Sequence, residues 1–247
     1  SAPFVNTPGS LGFSPDLRIA PFITSLGAFI TNPISRRPRQ PANNRCFLPF
    51  AGGFLLHTGW PNPGIRNVII HHRRRWANAP LPIITHLLVD SPNALAEMVR
   101  MLEGLENLIA IELGLPLDCD APQLENLMEA AFGELPVIPC LQADQIPILQ
   151  ETLIAQHPAA VHLLPPRGSL PTEEGALISG RLYGPSVFPN QLRALQTLAA
   201  SGLRLIVSGG IKEIWQADAM LKAGAMAVGL DHALWGVDQS SLFPSPE

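Results

Sequence analysis

Eight short apolar runs, most followed by a helical pattern, constrain this chain more than any other feature. They are Phe4–Thr7, Ala28–Asn32, Ile83–Leu88, Leu108–Leu113, Val137–Leu141, Ala160–Leu164, Leu203–Ser208 and Ala225–Leu230. Most are apolar on both faces, as strands are in a parallel sheet covered by helices. Asp90-Ser91-Pro92 opens a helix with Leu95, Met98, Val99 and Leu102 on one face. Ala121-Pro122 opens another, with Leu124, Leu127, Met128 and Ala131 at helical spacing. Ile146–Ala155, Pro189–Ala200 and Glu213–Lys222 follow, the last two stopping near Gly202 and Gly224. This alternation predicts one α/β domain over residues 1–247, a (β/α)8 TIM barrel. An open doubly wound sheet fits less well, because no G-x-G-x-x-G follows the first run.

Two stretches break the rhythm. Pro33–Asn62 and Pro165–Pro185, rich in proline, glycine and arginine, read as long loops after strands two and six. Both leave the C-terminal ends of strands, where barrel active sites lie. Little chain follows the eighth run, so the last helix is expected to be short or missing.

Composition limits the function classes. At 47% hydrophobic the chain has enough apolar residues for a large core. A net charge of −4 argues against a nucleic-acid partner. No apolar run is long enough to span a bilayer, and no signal peptide is visible; Ser1 reads as a remnant of expression. The three cysteines, Cys46, Cys119 and Cys140, are odd in number and widely spaced. That disfavours a disulfide framework or a zinc knuckle and points to a cytoplasmic protein. Arg73-Arg74-Arg75 reads as a solvated helix face, with a phosphate or partner patch as the alternative. Arg36, Arg37 and Arg39 read as a solvated loop or a flexible anion clamp.

Barrel chemistry is sought at strand ends. In Leu205-Ile-Val-Ser-Gly-Gly-Ile211 the Gly209-Gly210 turn lets a phosphate approach backbone N–H groups, and Ala223–Leu230 supplies the other half of such a site. Across the chain, Ser179-Gly-Arg-Leu-Tyr-Gly-Pro-Ser-Val-Phe-Pro189, Ile206–Ile211 and Ala223–Val228 resemble the dihydroorotate dehydrogenase family of FMN-linked barrels. So do Ala2–Gly9, Ala28–Asn32, Gly53–Gly64 and Ile111–Gly114, in the family's order. The resemblance implies FMN held by Asn6, Asn32, Gly184, Gly209, Gly210 and Lys212, and oxidation of dihydroorotate or a related small cyclic acid. It places His57, Asn62, Glu112, Arg181 and Tyr183 around a substrate at the C-terminal mouth, and allows a homodimer or a partner subunit.

Several family positions are substituted. The second-strand lysine falls on Asn32, and the fifth-strand lysine beside the flavin falls on Cys140. The asparagine before the family's Gly-Leu-x-Asn-x-Gly loop falls on Leu56, and the sixth-strand asparagines near His162 and Pro165. The Gly-Thr that helps hold the FMN phosphate falls on Asp231-His232. The run Glu112-Leu-Gly-Leu-Pro-Leu-Asp118 lacks the family's base. Cys140, His162, Asp231 and His232 are the candidates for any catalysis that replaced it. Cys140 also reads as a buried hydrophobe, Asp231-His232 as a loop cap, and Asn62 as a turn residue. The expectation is a flavin-free or altered binding or regulatory homologue. The alternatives are an FMN oxidoreductase and a metal-dependent enzyme drawing on His57, His86, Glu112, Cys140, His162, Asp231 and His232.

Overall fold

The computed structural model describes residues 3–44, 46–236 and 242; Ala2 of the resemblance and most of the tail after the eighth run lie outside the described residues. Its strands are β1 (Phe4–Asn6), β2 (Phe29–Ile30), β3 (Cys46–Phe50), β4 (Gly53–His57), β5 (Ile83–Leu88), β6 (Leu108–Gly114), β7 (Val137–Leu141), β8 (Val161–Leu163), β9 (Arg167–Pro171), β10 (Leu177–Tyr183), β11 (Leu205–Ser208) and β12 (Ala225–Leu230). The helices are α1 (Ile65–Ala77), α2 (Pro92–Leu102), α3 (Ala121–Ala130), α4 (Ile146–Gln156), α5 (Phe188–Ala199) and α6 (Ile214–Lys222).

The eight predicted strands form one parallel sheet in the order β1-β12-β11-β8-β7-β6-β5-β2. A bridge from Val5 to Ala28 joins its two ends. Asn6 completes this closure: its side chain donates to Ile30 O at 2.7 Å and accepts from Ile30 N at 2.8 Å. The result is the (β/α)8 barrel that the alternation predicts. Helix starts follow their local chemistry. Ser91 caps α2 by accepting from Ala94 N, and Asp120 caps α3 by accepting from Gln123 N. Arg73, Arg74 and Arg75 lie exposed on α1, the solvated face expected of them. After β12 the described residues hold a 3-10 turn, His232–Trp235.

The two long segments are not loops. β3, β4, β10 and β9 pair antiparallel as a second sheet at the barrel mouth. Gly52, at φ 84°, turns β3 into β4. Gly184, at φ 115°, lies so close to Gly52 and Gly53 that a Cβ would collide with both. That contact seats the second sheet.

Candidate functional site at the barrel mouth

Strand periodicity builds the site. Ile84, Ala110, Ile138, Ala160 and Ile206 pack with Val5, Ala28 and Ile30 as an apolar plug inside the barrel. Two residues further along each strand, on the same inward face, stand His86, Glu112, Cys140, His162 and Ser208. All five are buried. Glu112 Oε1 accepts from His162 Nδ1 at 2.6 Å, and Oε2 accepts from His86 Nδ1 at 2.9 Å. His162 Nε2 is hydrogen-bonded to Ser208 Oγ at 2.6 Å. Thr31 Oγ1 accepts from the backbone N–H of His86.

The electrostatics follow from this packing. Burial alone raises the Glu112 carboxyl, but the two histidines more than offset it and hold it at about 2. Burial lowers His86 below its ordinary value, against the pull of Glu112. Burial and the Glu112 charge push the Cys140 thiol well above its ordinary range, so it stays protonated. Ser208, His162 and Glu112 stand in the order of a serine relay. Ser208 is fully buried, however, and a Cβ on Gly229 would overlap its hydroxyl. A hydroxyl without access to substrate does not serve as a nucleophile; the chain of bonds pins strands together.

Two cavities open above this cluster, of about 220 and 380 Å3. The smaller reaches His86 and Cys140; the larger reaches Asn32, His57 and Tyr183. Arg39, Trp60, Arg167 and Arg181 border both. Arg181 is 7% exposed, and its guanidinium carbon lies 4.9 Å from the centre of the Trp60 ring. Its Nε and Nη1 have no hydrogen-bond partner among the described residues. Arg167 is lowered by burial and by the charge of Arg181. Trp60 holds a positive φ of 56°, an uncommon conformation for a bulky residue.

Aromatic rings fill the β12 side of the mouth. Tyr183 lies 5.3 Å from Phe54 and 5.2 Å from Trp235, centre to centre. Asp231, fully buried, accepts from the backbone N–H and Nδ1 of His232, both at 2.6 Å. Its Oδ2 and His232 Nε2 have no hydrogen-bond partner among the described residues.

The structure therefore separates residues that the sequence grouped. Cys140 and His162 share the buried cluster, while Asp231 and His232 pair with each other beside the aromatic rings. Glu112, expected at a substrate, has both oxygens occupied by histidines. Asn62 is a turn residue: its Oδ1 accepts from Ser35 N, Ser35 Oγ and Gly64 N, and its Nδ2 donates to Trp60 O. Asn6 closes the barrel with both ends of its amide. Gly184, Gly209 and Gly210 serve close backbone packing, the last two against Gln191, Pro165 and Phe188. Lys212 lies on the exposed loop before α6. His57, Asn32, Arg181 and Tyr183 do line the mouth. Among the arginines expected in a loop, Arg36 pairs with Glu97 at 2.6 Å and Arg39 borders both cavities. Ser208, Trp60 and Arg167 were not singled out from the sequence. Counting two residues on from Ile206 finds the first; the others sit in stretches that read as loop.

Of the residues considered for a metal, His86, Glu112 and Cys140 offer ligand atoms within 4.8 Å of one another. The other candidates fall outside that group. Among the described residues no helix is long and apolar enough to cross a membrane.

No family profile matches the chain. Curated relatives do. The catalytic subunit of dihydroorotate dehydrogenase B (NAD+) of Maridesulfovibrio salexigens is 25% identical, over 92% of this chain and 81% of the relative. The same subunit of Desulforudis audaxviator is 26% identical, over 94% and 82%. Among solved structures, the dihydroorotate dehydrogenase of Eimeria tenella in complex with ferulenol superposes with a TM-score of 0.74 at 12% identity, covering 94% of this chain and 76% of that one. Along most of its length the chain is similar in sequence to dihydroorotate dehydrogenase catalytic subunits, and its barrel shares the fold of a solved dihydroorotate dehydrogenase.

Proposed function

We propose that this barrel is a flavin-free or altered homologue that binds a small molecule at its mouth instead of oxidising dihydroorotate through FMN. One observation carries the reading. Where the resemblance puts the phosphate-gripping backbone, the chain has the buried Asp231 carboxylate, with Oδ2 unpartnered. Each negative charge on a phosphate 4 Å from a carboxylate costs about 1–4 kcal/mol, depending on the effective dielectric. Gly210 packs on Phe188 and Gly184 on Gly52–Gly53, and the Tyr183, Phe54 and Trp235 rings occupy this side of the mouth. These residues do not fit FMN. The buried Cys140 thiol cannot replace the family's flavin-side lysine as a cation.

The test is the absorbance spectrum of freshly purified protein, then titration with FMN. Colourless protein that leaves FMN fluorescence unchanged is expected. Stoichiometric flavin with turnover of dihydroorotate would establish the oxidoreductase reading instead.

The His86, Glu112 and Cys140 group supports a second reading, a metal enzyme with zinc as the natural candidate for N, O and S ligands. Elemental analysis decides it: stoichiometric metal supports it, and none, with no change in Tm on adding zinc, removes it.

A further inference from the structure

The three arginines around the cavities have no acid among the described residues to balance them. Among the described residues, no carboxylate forms an ion pair with Arg39, Arg167 or Arg181. Arg181 is the extreme case, nine-tenths buried with two of its three nitrogens unpartnered. A buried, unpaired charge is costly, and proteins retain one where something outside the chain completes it. Stacking on Trp60 and the neighbouring Tyr183 hydroxyl compensate only in part, since Nε and Nη1 stay unpartnered among the described residues. Arg167 adds a second guanidinium close enough for the two to repel. Two like charges held together across a cavity form a receptor for the opposite charge.

We infer that Arg181 and Arg167, with Arg39 at the rim, bind a small oxyanion, a carboxylate or a phosphate group, in the cavities beneath the second sheet. The smaller cavity, about 220 Å3, has room for the anionic group, and the larger, about 380 Å3, for the rest of a compact molecule along Trp60. The arginines come from the chain's own antiparallel strands: Arg167 pairs with Arg181 in the β9–β10 register. Chelation by guanidinium favours a planar carboxylate or a tetrahedral phosphate over halide. The inference rests on the proposed function in one respect: the occupant is a free small molecule, not a flavin.

The experiment measures melting temperature and calorimetric binding of the full chain with malonate, orotate and inorganic phosphate, each against sodium chloride at matched ionic strength. At least one oxyanion is expected to raise Tm and to bind below millimolar, and which one does distinguishes carboxylate from phosphate. Arg181→Met is expected to weaken that binding tenfold or more and to raise the Tm of the ligand-free protein, because it removes an unpaired buried charge. Arg181→Lys is expected to bind more weakly than the parent. No response of the parent to any oxyanion would overturn the inference, as would unchanged binding in Arg181→Met. A lower ligand-free Tm in Arg181→Met would also overturn it, because the stacking on Trp60 would then account for the buried guanidinium. Yellow protein with bound FMN would instead defeat the proposed function, a separate readout of the same preparation.

Discussion

Glu112 Oε1 and His162 Nδ1 meet at 2.6 Å inside the barrel, and neither side chain is exposed. The pair joins β6 to β8 across the intervening β7, and the second carboxylate oxygen extends the link to His86 on β5. A buried carboxylate is tolerated because both oxygens are occupied.

Glu112→Gln removes this charge and faces an amide N–H toward one of the two histidine donors. Breaking a buried charged pair typically costs about 3–5 kcal/mol. For a chain of this size that corresponds to a fall in Tm on the order of 10 °C. Thermal denaturation followed by circular dichroism measures it. A Tm within a degree or two of the parent would show that water or a shifted neighbour already relieves the site.

Acid is expected to destabilise the protein in two stages. His86 is lowered in the fold, so unfolded chains take up its proton first as pH drops through 6.5, its ordinary value. Its contribution is full above 6.5 and declines below it. Glu112 is lowered from 4.5 to about 2, so its contribution is full above 4.5 and is lost as pH falls toward 2. Urea unfolding between pH 7.5 and 3 should show both declines. His86→Gln should flatten the upper one and shrink the lower one without abolishing it, because His162 still holds Glu112 down. A parent whose stability is level between pH 7 and 5 would contradict the assignment of His86.

How far the fold was legible depended on residue type. β5, β6, β7 and β11 read directly because their residues are apolar in both directions, as a strand between an interior plug and outer helices requires. β3, β4, β9 and β10 did not read as strands. Cys46–Phe50 contains Pro49, Arg167–Pro171 has glycine and proline, and Leu177–Tyr183 carries Gly180 and Arg181. Half of this sheet's faces meet a polar cavity, so hydrophobic alternation is lost. The site was legible at single positions but not as a group. Cys140 and His162 stand on strand ends, yet their neighbours His86 and Ser208 come from strands far apart in sequence. Asn62 and Asn6 looked like ligand contacts because a side-chain amide that holds a turn or closes a barrel is the same residue type as one that holds a ligand.

Gly229→Ala tests the packing under the network. A Cβ there would overlap Ser208 Oγ and come within 3.3 Å of His162 Nε2. Overpacking of this kind costs about 1–3 kcal/mol. Ser208→Ala added to Gly229→Ala removes the overlapping hydroxyl and should recover part of the loss, the Ser208 Cβ at 2.9 Å remaining, although Ser208→Ala alone destabilises by deleting a buried hydrogen bond. A double-mutant cycle from chemical denaturation measures the coupling. Additive losses would mean that Gly229 and Ser208 do not meet as described.

Asp231 and His232 stand where the family resemblance places a Gly-Thr pair, and exchanging them tests whether they exclude the flavin phosphate. Asp231→Gly with His232→Thr removes the buried carboxylate, its unpartnered Oδ2 and the imidazole that lies 6.4 Å from Phe54, centre to centre. Relief of about 1–4 kcal/mol of repulsion corresponds to a gain in FMN affinity of roughly fivefold to a thousandfold. Quenching of FMN fluorescence on titration with protein reads it directly: the parent should show none, and the double variant a saturable decrease. If the double variant also shows none, the barrier lies in the stacked Tyr183, Phe54 and Trp235 rings, and truncating Tyr183 to Ser in that background becomes the change that admits the cofactor. If parent and variant bind FMN equally, the carboxylate does not face the phosphate, and the argument for a flavin-free barrel loses its main support.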